Sequence, residues 1–171
     1  MDEQSLVPLI AQTRVSSVLN RDGQSYGRQH LFDGSLETCW TSDQGTPQHI
    51  DVRFSRPVHL HRMHVQFQGG FAGKTARLID RSTGREICPM HFLDNNSRQT
   101  AEVPEEVRRM AYAKVGVVFP ESTDFYGRVV VYMLDFVGRP AASAADAKAE
   151  SAQAESAQAA PQTAGAHVVI S

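Results

Sequence analysis

Only two cysteines, Cys39 and Cys88, occur in 171 residues. The expected role of both thiols is that of small buried hydrophobes in a reducing compartment. An excess of charge of either sign is also missing. Lys and Arg number 17 against 19 Asp and Glu, for a net charge of −2. With no basic stripe and no polybasic segment, neither a nucleic-acid nor a membrane partner is expected. No run approaches the ~18 apolar residues of a spanning helix. Met1-Asp2-Glu3-Gln4 has neither the basic nor the apolar region of a signal peptide, so an intracellular protein is expected, in cytoplasm or nucleus. What remains is an ordinary globular mix, 41% hydrophobic and 21% charged, sufficient for one domain.

Signatures of chemistry are equally sparse. Gln68-Gly69-Gly70-Phe71-Ala72-Gly73-Lys74-Thr75 nearly spells a phosphate-binding loop, but Gln68 stands where the first Gly is needed. The following Ala76–Arg81 run is too short for the helix whose N-terminus would cradle phosphate, and it closes on the turn Ser82-Thr83-Gly84. There is no Gly-x-Ser-x-Gly elbow, His-Glu-x-x-His pair or Cys-x-x-Cys. Asn20-Arg21-Asp22-Gly23 lacks the alternating acids of a calcium loop. His59 and His61 have the spacing to share one strand face, yet no Cys or Glu sits at an offset that would close a zinc site. No enzyme and no cofactor are expected. Asn95-Asn96-Ser97 is formally a glycosylation sequon and reads as a polar turn.

The hydrophobic pattern has period two. Ile50, Val52 and Phe54 alternate with polar neighbours, as do Met63, Val65 and Phe67. Val58 and Leu60 fall on the opposite parity, which predicts a bulge near His61. Ala111, Ala113, Val115, Val117 and Phe119 predict one face of a further strand, with Tyr112, Lys114 and Gly116 on the other. Val130, Tyr132, Leu134 and Phe136 predict the core face of a last strand whose start is apolar on both sides, as in a central strand. Turn clusters separate these runs, at Ser42–Pro47, Ser82–Gly84 and Asp94–Ser97. Only residues 104–110 suggest a helical turn. Short strands at this spacing predict an all-β antiparallel sandwich or jelly roll. The domain is expected to span residues 1–138. Residues 139–171 form an Ala/Ser/Gln/Glu-rich stretch without Leu, Phe or Trp, which cannot bury a core and is expected to be a flexible tail. Trp40, the single tryptophan, is expected in the core.

Phe32-Asp33-Gly34, Thr38-Cys39-Trp40 and Ser42 resemble the start of a discoidin domain, also called the coagulation-factor type C domain. His49–Phe54, Pro57, Leu60–Phe67 and the closing Leu134–Gly138 follow the same order. Arg14–Asn20, His30–Asp33, Gln66–Phe71, Asp94–Ser97 and Asp124–Tyr132 are similar to small intracellular single-domain members that act beside nuclear receptors. The resemblance implies a galactose-binding-like jelly roll without catalysis that binds sugars, lipids or proteins through loops at one end. It implies a protein–protein interaction module, a transcriptional cofactor associating with a nuclear receptor. The alternatives are a carbohydrate-binding module with a small-molecule or glycan ligand, or a ciliary or trafficking adaptor placed at the cilium. Some relatives hold a structural calcium through a Glu on the last strand. Met133 stands there in this chain, and a thioether is a poor ligand for a hard cation.

The expected partner surface is built from Gln68, Phe71, Asn95, Asn96, Asp124, Tyr126 and Arg128. Phe71 would supply apolar contact, and is the one loop residue singled out as an apolar spike. Arg128 would supply planar donors, and the asparagines adaptable hydrogen bonds. The competing reading of the same residues is turn chemistry alone, with Arg128 paired to Asp124.

Overall fold

The computed structural model describes residues 2–142, so the composition-based reading of the remaining tail lies outside the described residues. Among the described residues nine strands form: β1 (Gln4–Ser5), β2 (Ile10–Val15), β3 (Trp40–Thr41), β4 (Gln48–Phe67), β5 (Thr75–Asp80), β6 (Glu86–His91), β7 (Arg98–Glu102), β8 (Tyr112–Phe119) and β9 (Val130–Pro140). Every pairing is antiparallel.

β4 organises the molecule by belonging to two layers. Its first part, Gln48–Arg53, pairs with β8, which is met once more at Val58, and Ile50–Phe54 pairs with β2. Its second part pairs with β9 from Val58 and with β7 from Arg62. One layer is therefore β2-β4-β8-β5-β6. The other is β7-β4-β9, with β1 and β3 both on the far edge of β9. Pro57 falls between the two parts, where the register with β8 shifts. A proline cannot donate to a ladder, so this is a place where β4 can leave one sheet for the other. Two strands separated at Pro57 are thus one continuous strand that turns the corner.

The layers meet face to face. Phe54 of one packs edge-on against Phe136 of the other at 6.0 Å between centroids, and Phe67 against Phe119 at 5.8 Å. Leu60, Met63, Val65, Leu78, Val115, Val117 and Leu134 fill the space between. The expected bulge appears between Leu60 and Arg62 and rotates the alternation so that both Leu60 and Met63 point inward. It also parts the two histidines. The His59 ring lies against the carbonyls of Arg108 and Met110, whereas His61 bonds Glu3 at 2.6 Å. No cluster of three metal-ligating side chains exists among the described residues.

Two strand readings need correction. Ala111 is exposed and Tyr112 is buried, its hydroxyl donating to the Val107 carbonyl at 3.1 Å. The expected alternation holds only from Lys114 onward, because the ladder to β4 is broken between Lys114 and Tyr112. In β9, Val131 and not Tyr132 enters the core. A bulge at Gln66/Phe67 lets Met133 and Val131 face consecutive residues, which leaves Tyr132 half-buried. The helical turn in residues 104–110 is α2 (Glu105–Arg108), and a second one, α1 (Gly23–Tyr26), is capped by Asp22. β9 runs through Pro140, two residues past Gly138.

Candidate functional site

Four connections converge on one end of the sandwich: residues 42–47 before β4, 68–74 after it, 92–97 between β6 and β7, and 120–129 between β8 and β9. The registers require it. Gln48 at the start of β4 faces Phe119 at the end of β8, Phe67 faces Val131, Gln66 faces Arg98, and Thr75 faces His91.

Backbone bonds tie these loops into one surface. Gln68 donates to Val130 at 3.1 Å and accepts from Phe71 at 3.0 Å, closing a tight turn. Phe71 in turn accepts from Val130 at 3.1 Å. Ala72 accepts from the Thr123 amide, and its own amide donates to Thr123 Oγ1, both at 2.9 Å. Gly45 donates to the Tyr126 carbonyl at 2.7 Å. Gly70, at φ +90°, takes a left-handed conformation that disfavours any side chain. Its amide and that of Gly69 are held by Asp94 Oδ1 at 2.8 Å and Asn96 Oδ1 at 2.7 Å. Asn95 Oδ1 accepts from Ser97 at 2.9 Å, a self-closing polar turn.

Arg128 sits at the centre. Asp124 Oδ2 accepts from its backbone amide at 3.1 Å and from its Nε at 3.2 Å. Its guanidinium lies 5.4 Å from the Phe71 ring centroid and 6.0 Å from that of Tyr126. Two aromatic faces and a carboxylate thus fix a planar cation that stays partly exposed. Phe125 stands beyond it, 93% exposed, with its ring edge-on to Tyr126 at 5.2 Å. A phenylalanine this exposed leaves most of its apolar area in water, which costs free energy unless something covers it.

All seven residues expected at the partner surface come together at this end, and they divide by role. Asn95 and Asn96 hold turns. Gln68 contributes backbone. Asp124 fixes Arg128. Phe71, expected as the apolar spike, is half-buried beside the guanidinium, and Phe125 is the ring that protrudes. Phe125 was missing from the expected set, although a bulky apolar residue between Asp124 and Gly127 has no strand to bury it and is a legible signal. Gly73 and Thr75 of the near phosphate loop are accounted for by packing: Gly73 is buried with its Cα against the Phe119 ring, and Thr75 opens β5. Trp40 lies beneath this end, fully buried, its Nε1 donating to the Ser17 carbonyl at 2.9 Å.

No family model matches the chain. Curated proteins do. The nuclear receptor 2C2-associated protein of Bos taurus is 44% identical over 140 residues, which cover 79% of this chain and 96% of the relative. That of Homo sapiens is 42% identical over 139 residues, with 78% and 96% covered, and that of Danio rerio 42% over 138, with 79% and 96%. The chain belongs to the family of nuclear receptor 2C2-associated proteins. Its fold is the discoidin, galactose-binding-like jelly roll. It overlays an F5/8 type C domain from Bacteroides fragilis with a TM-score of 0.63 at 16% identity, over 76% of this chain and 92% of that one. A CBM32 module from Clostridium perfringens, solved with GalNAc-β-1,3-galactose, gives 0.64 at 15%, over 78% and 99%. A family 32 module of C. perfringens NanJ, solved with galactose, gives 0.62 at 12%, over 80% and 99%. At these identities the likeness concerns fold. The relatives are named as associated proteins and two of these neighbours are solved with sugars, and no helix among the described residues is long and apolar enough to cross a membrane.

Proposed function

We propose that this protein is a non-enzymatic, intracellular binding module that captures a protein partner at the loop end of its sandwich, and that the partner is a nuclear receptor. The observation that carries this reading is the grouping of exposed Phe125 and Tyr126 around a preorganised Arg128. Aromatic and Arg side chains held rigidly by their own neighbours are what protein interfaces use as anchors, since little rotamer entropy is lost on docking. The relatives' name supplies the class of partner.

A second reading is a carbohydrate-binding module. Two similarly folded modules are solved with galactose-containing sugars, and Tyr126 with Arg128 offers a ring and planar donors to a pyranose. Immobilised protein titrated with purified nuclear receptor 2C2, in parallel with a glycan array, separates the two. Saturable binding to the receptor with a blank array supports the protein reading. Selective array binding without receptor binding replaces it with the sugar reading.

A further inference from the structure

The outer face of the five-stranded layer carries a second feature, unrelated to the loop end. In this layer the inward residues Ile50, Val52, Val115 and Val117 alternate with outward Asp51, Arg53, Lys114 and Gly116. β2 brings Arg14 opposite Asp51 and Gln12 opposite Arg53, and Lys114 of β8 faces Arg53 from the other side. Arg81 follows β5, its amide bonded to the Lys114 carbonyl at 3.0 Å. These side chains line a groove of about 250 Å³.

Position 116, beside this groove, is glycine, and the Arg81 and Asp51 side chains lie over it. A side chain there would run into Arg81 and Asp51, and without one those two bond at 2.8 Å. That pair consumes the single carboxylate in the groove. Arg14, Arg53 and Lys114 are exposed and carry no ion pair among the described residues. Arg53 and Lys114 are direct cross-strand partners, and like charges so placed repel. A chain of net charge −2 overall thus concentrates positive charge in one concave strip of the described surface. An anion seated there gains attraction to three cations and relieves their mutual repulsion.

The spacing selects the kind of anion. Arg14 and Arg53 are diagonal neighbours across two strands, about 7–8 Å apart at their backbones, and Lys114 lies about 5 Å from Arg53. On an extended peptide, side chains two residues apart share one face about 7 Å apart. We infer that this groove docks an extended acidic peptide segment with Glu or Asp at alternate positions, contributed by a partner protein. It shares no residue with the loop-end surface, so it does not rest on the function proposed above.

The test is fluorescence anisotropy with a labelled peptide of about ten residues carrying alternate Glu, and its Gln counterpart as control. The parent protein is expected to bind the Glu peptide at least tenfold more tightly than the Gln peptide. Raising salt from about 0.05 to 0.3 M is expected to weaken it several-fold, as for exposed charges within a Debye length. Arg53→Glu with Lys114→Glu, and separately Arg14→Glu, should each weaken binding at least fivefold, with thermal midpoints confirming that the variants stay folded. Phe125→Ala should leave it unchanged. Equal affinity for the two peptides, or full binding by the folded charge-reversed proteins, overturns the assignment. Displacement by equimolar pyrophosphate, or tighter binding of a poly-uridine RNA than of the Glu peptide, also overturns it, in favour of a small anion or a nucleic acid.

Discussion

Arg128 meets a carboxylate and two aromatic rings at once, and each contact is modest alone. A partly exposed ion pair is worth about 0–1 kcal/mol and an exposed cation–π contact about 0.5–1. Arg128→Ala should therefore lower stability by about 1–2 kcal/mol in chemical denaturation while weakening receptor binding more than tenfold. Arg128→Lys keeps the charge but loses the planar fork, and should recover stability more than affinity. Trp40→Ala is different in kind. The ring is fully buried and its N–H is satisfied, so its removal should cost ~3–5 kcal/mol in the same assay. Cys88 gives a pH prediction. Burial and nearby Glu86 push its thiol from 9.0 up to about 11. Between those values the unfolded chain has already released the proton that the folded chain retains, so stability should fall as pH rises from 9 to 11. Cys88→Ser, followed by thermal unfolding across that window, should flatten the fall. The core role of Trp40 was legible because a lone large ring beside a strand pattern has one common use. Phe125 escapes the strand periodicity, which is silent about turns, and its only signal is a bulky apolar side chain with no strand to bury it.

β4 shows what alternation can and cannot convey. Each of its halves announced its inward face, and the parity break at Val58 and Leu60 announced the bulge. Nothing local announced that the halves join two different layers, since partner choice depends on contacts far along the chain. The same limit explains Tyr112 and Val131, both displaced from their expected faces where a ladder slips against β4. The loop end depends on such long-range fits. Gly127, at φ +83°, lies where a Cβ would come within 2.8 Å of the Gly45 backbone. Gly127→Ala should then cost about 1–3 kcal/mol, through the strained backbone, and push residues 43–47 away from 124–127. Thermal unfolding gives the first quantity. Loss of receptor affinity without any change in contacting side chains gives the second.

The composition break after Gly138 and the end of β9 at Pro140 both favour a fold complete without the Ala-rich tail. Deleting residues 143–171 should leave the thermal midpoint within a few degrees of the full chain, the change that ~1 kcal/mol would produce in a domain this size. The jelly roll itself was legible from strand spacing, turn clusters and the Trp40 segment. The convergence of four loops was implied only by resemblance, because residues 42–47, 68–74, 92–97 and 120–129 are far apart in sequence and only the registers unite them. The proposal that this end receives a nuclear receptor is open to a direct measurement. Amide chemical shifts of isotope-labelled protein, followed while unlabelled receptor is added, map the contact residue by residue. Perturbations concentrated at Gln68–Phe71, Asp94–Asn96 and Asp124–Arg128 are the predicted result. A saturable change confined to other parts of the sandwich, with these loops unmoved, would contradict it.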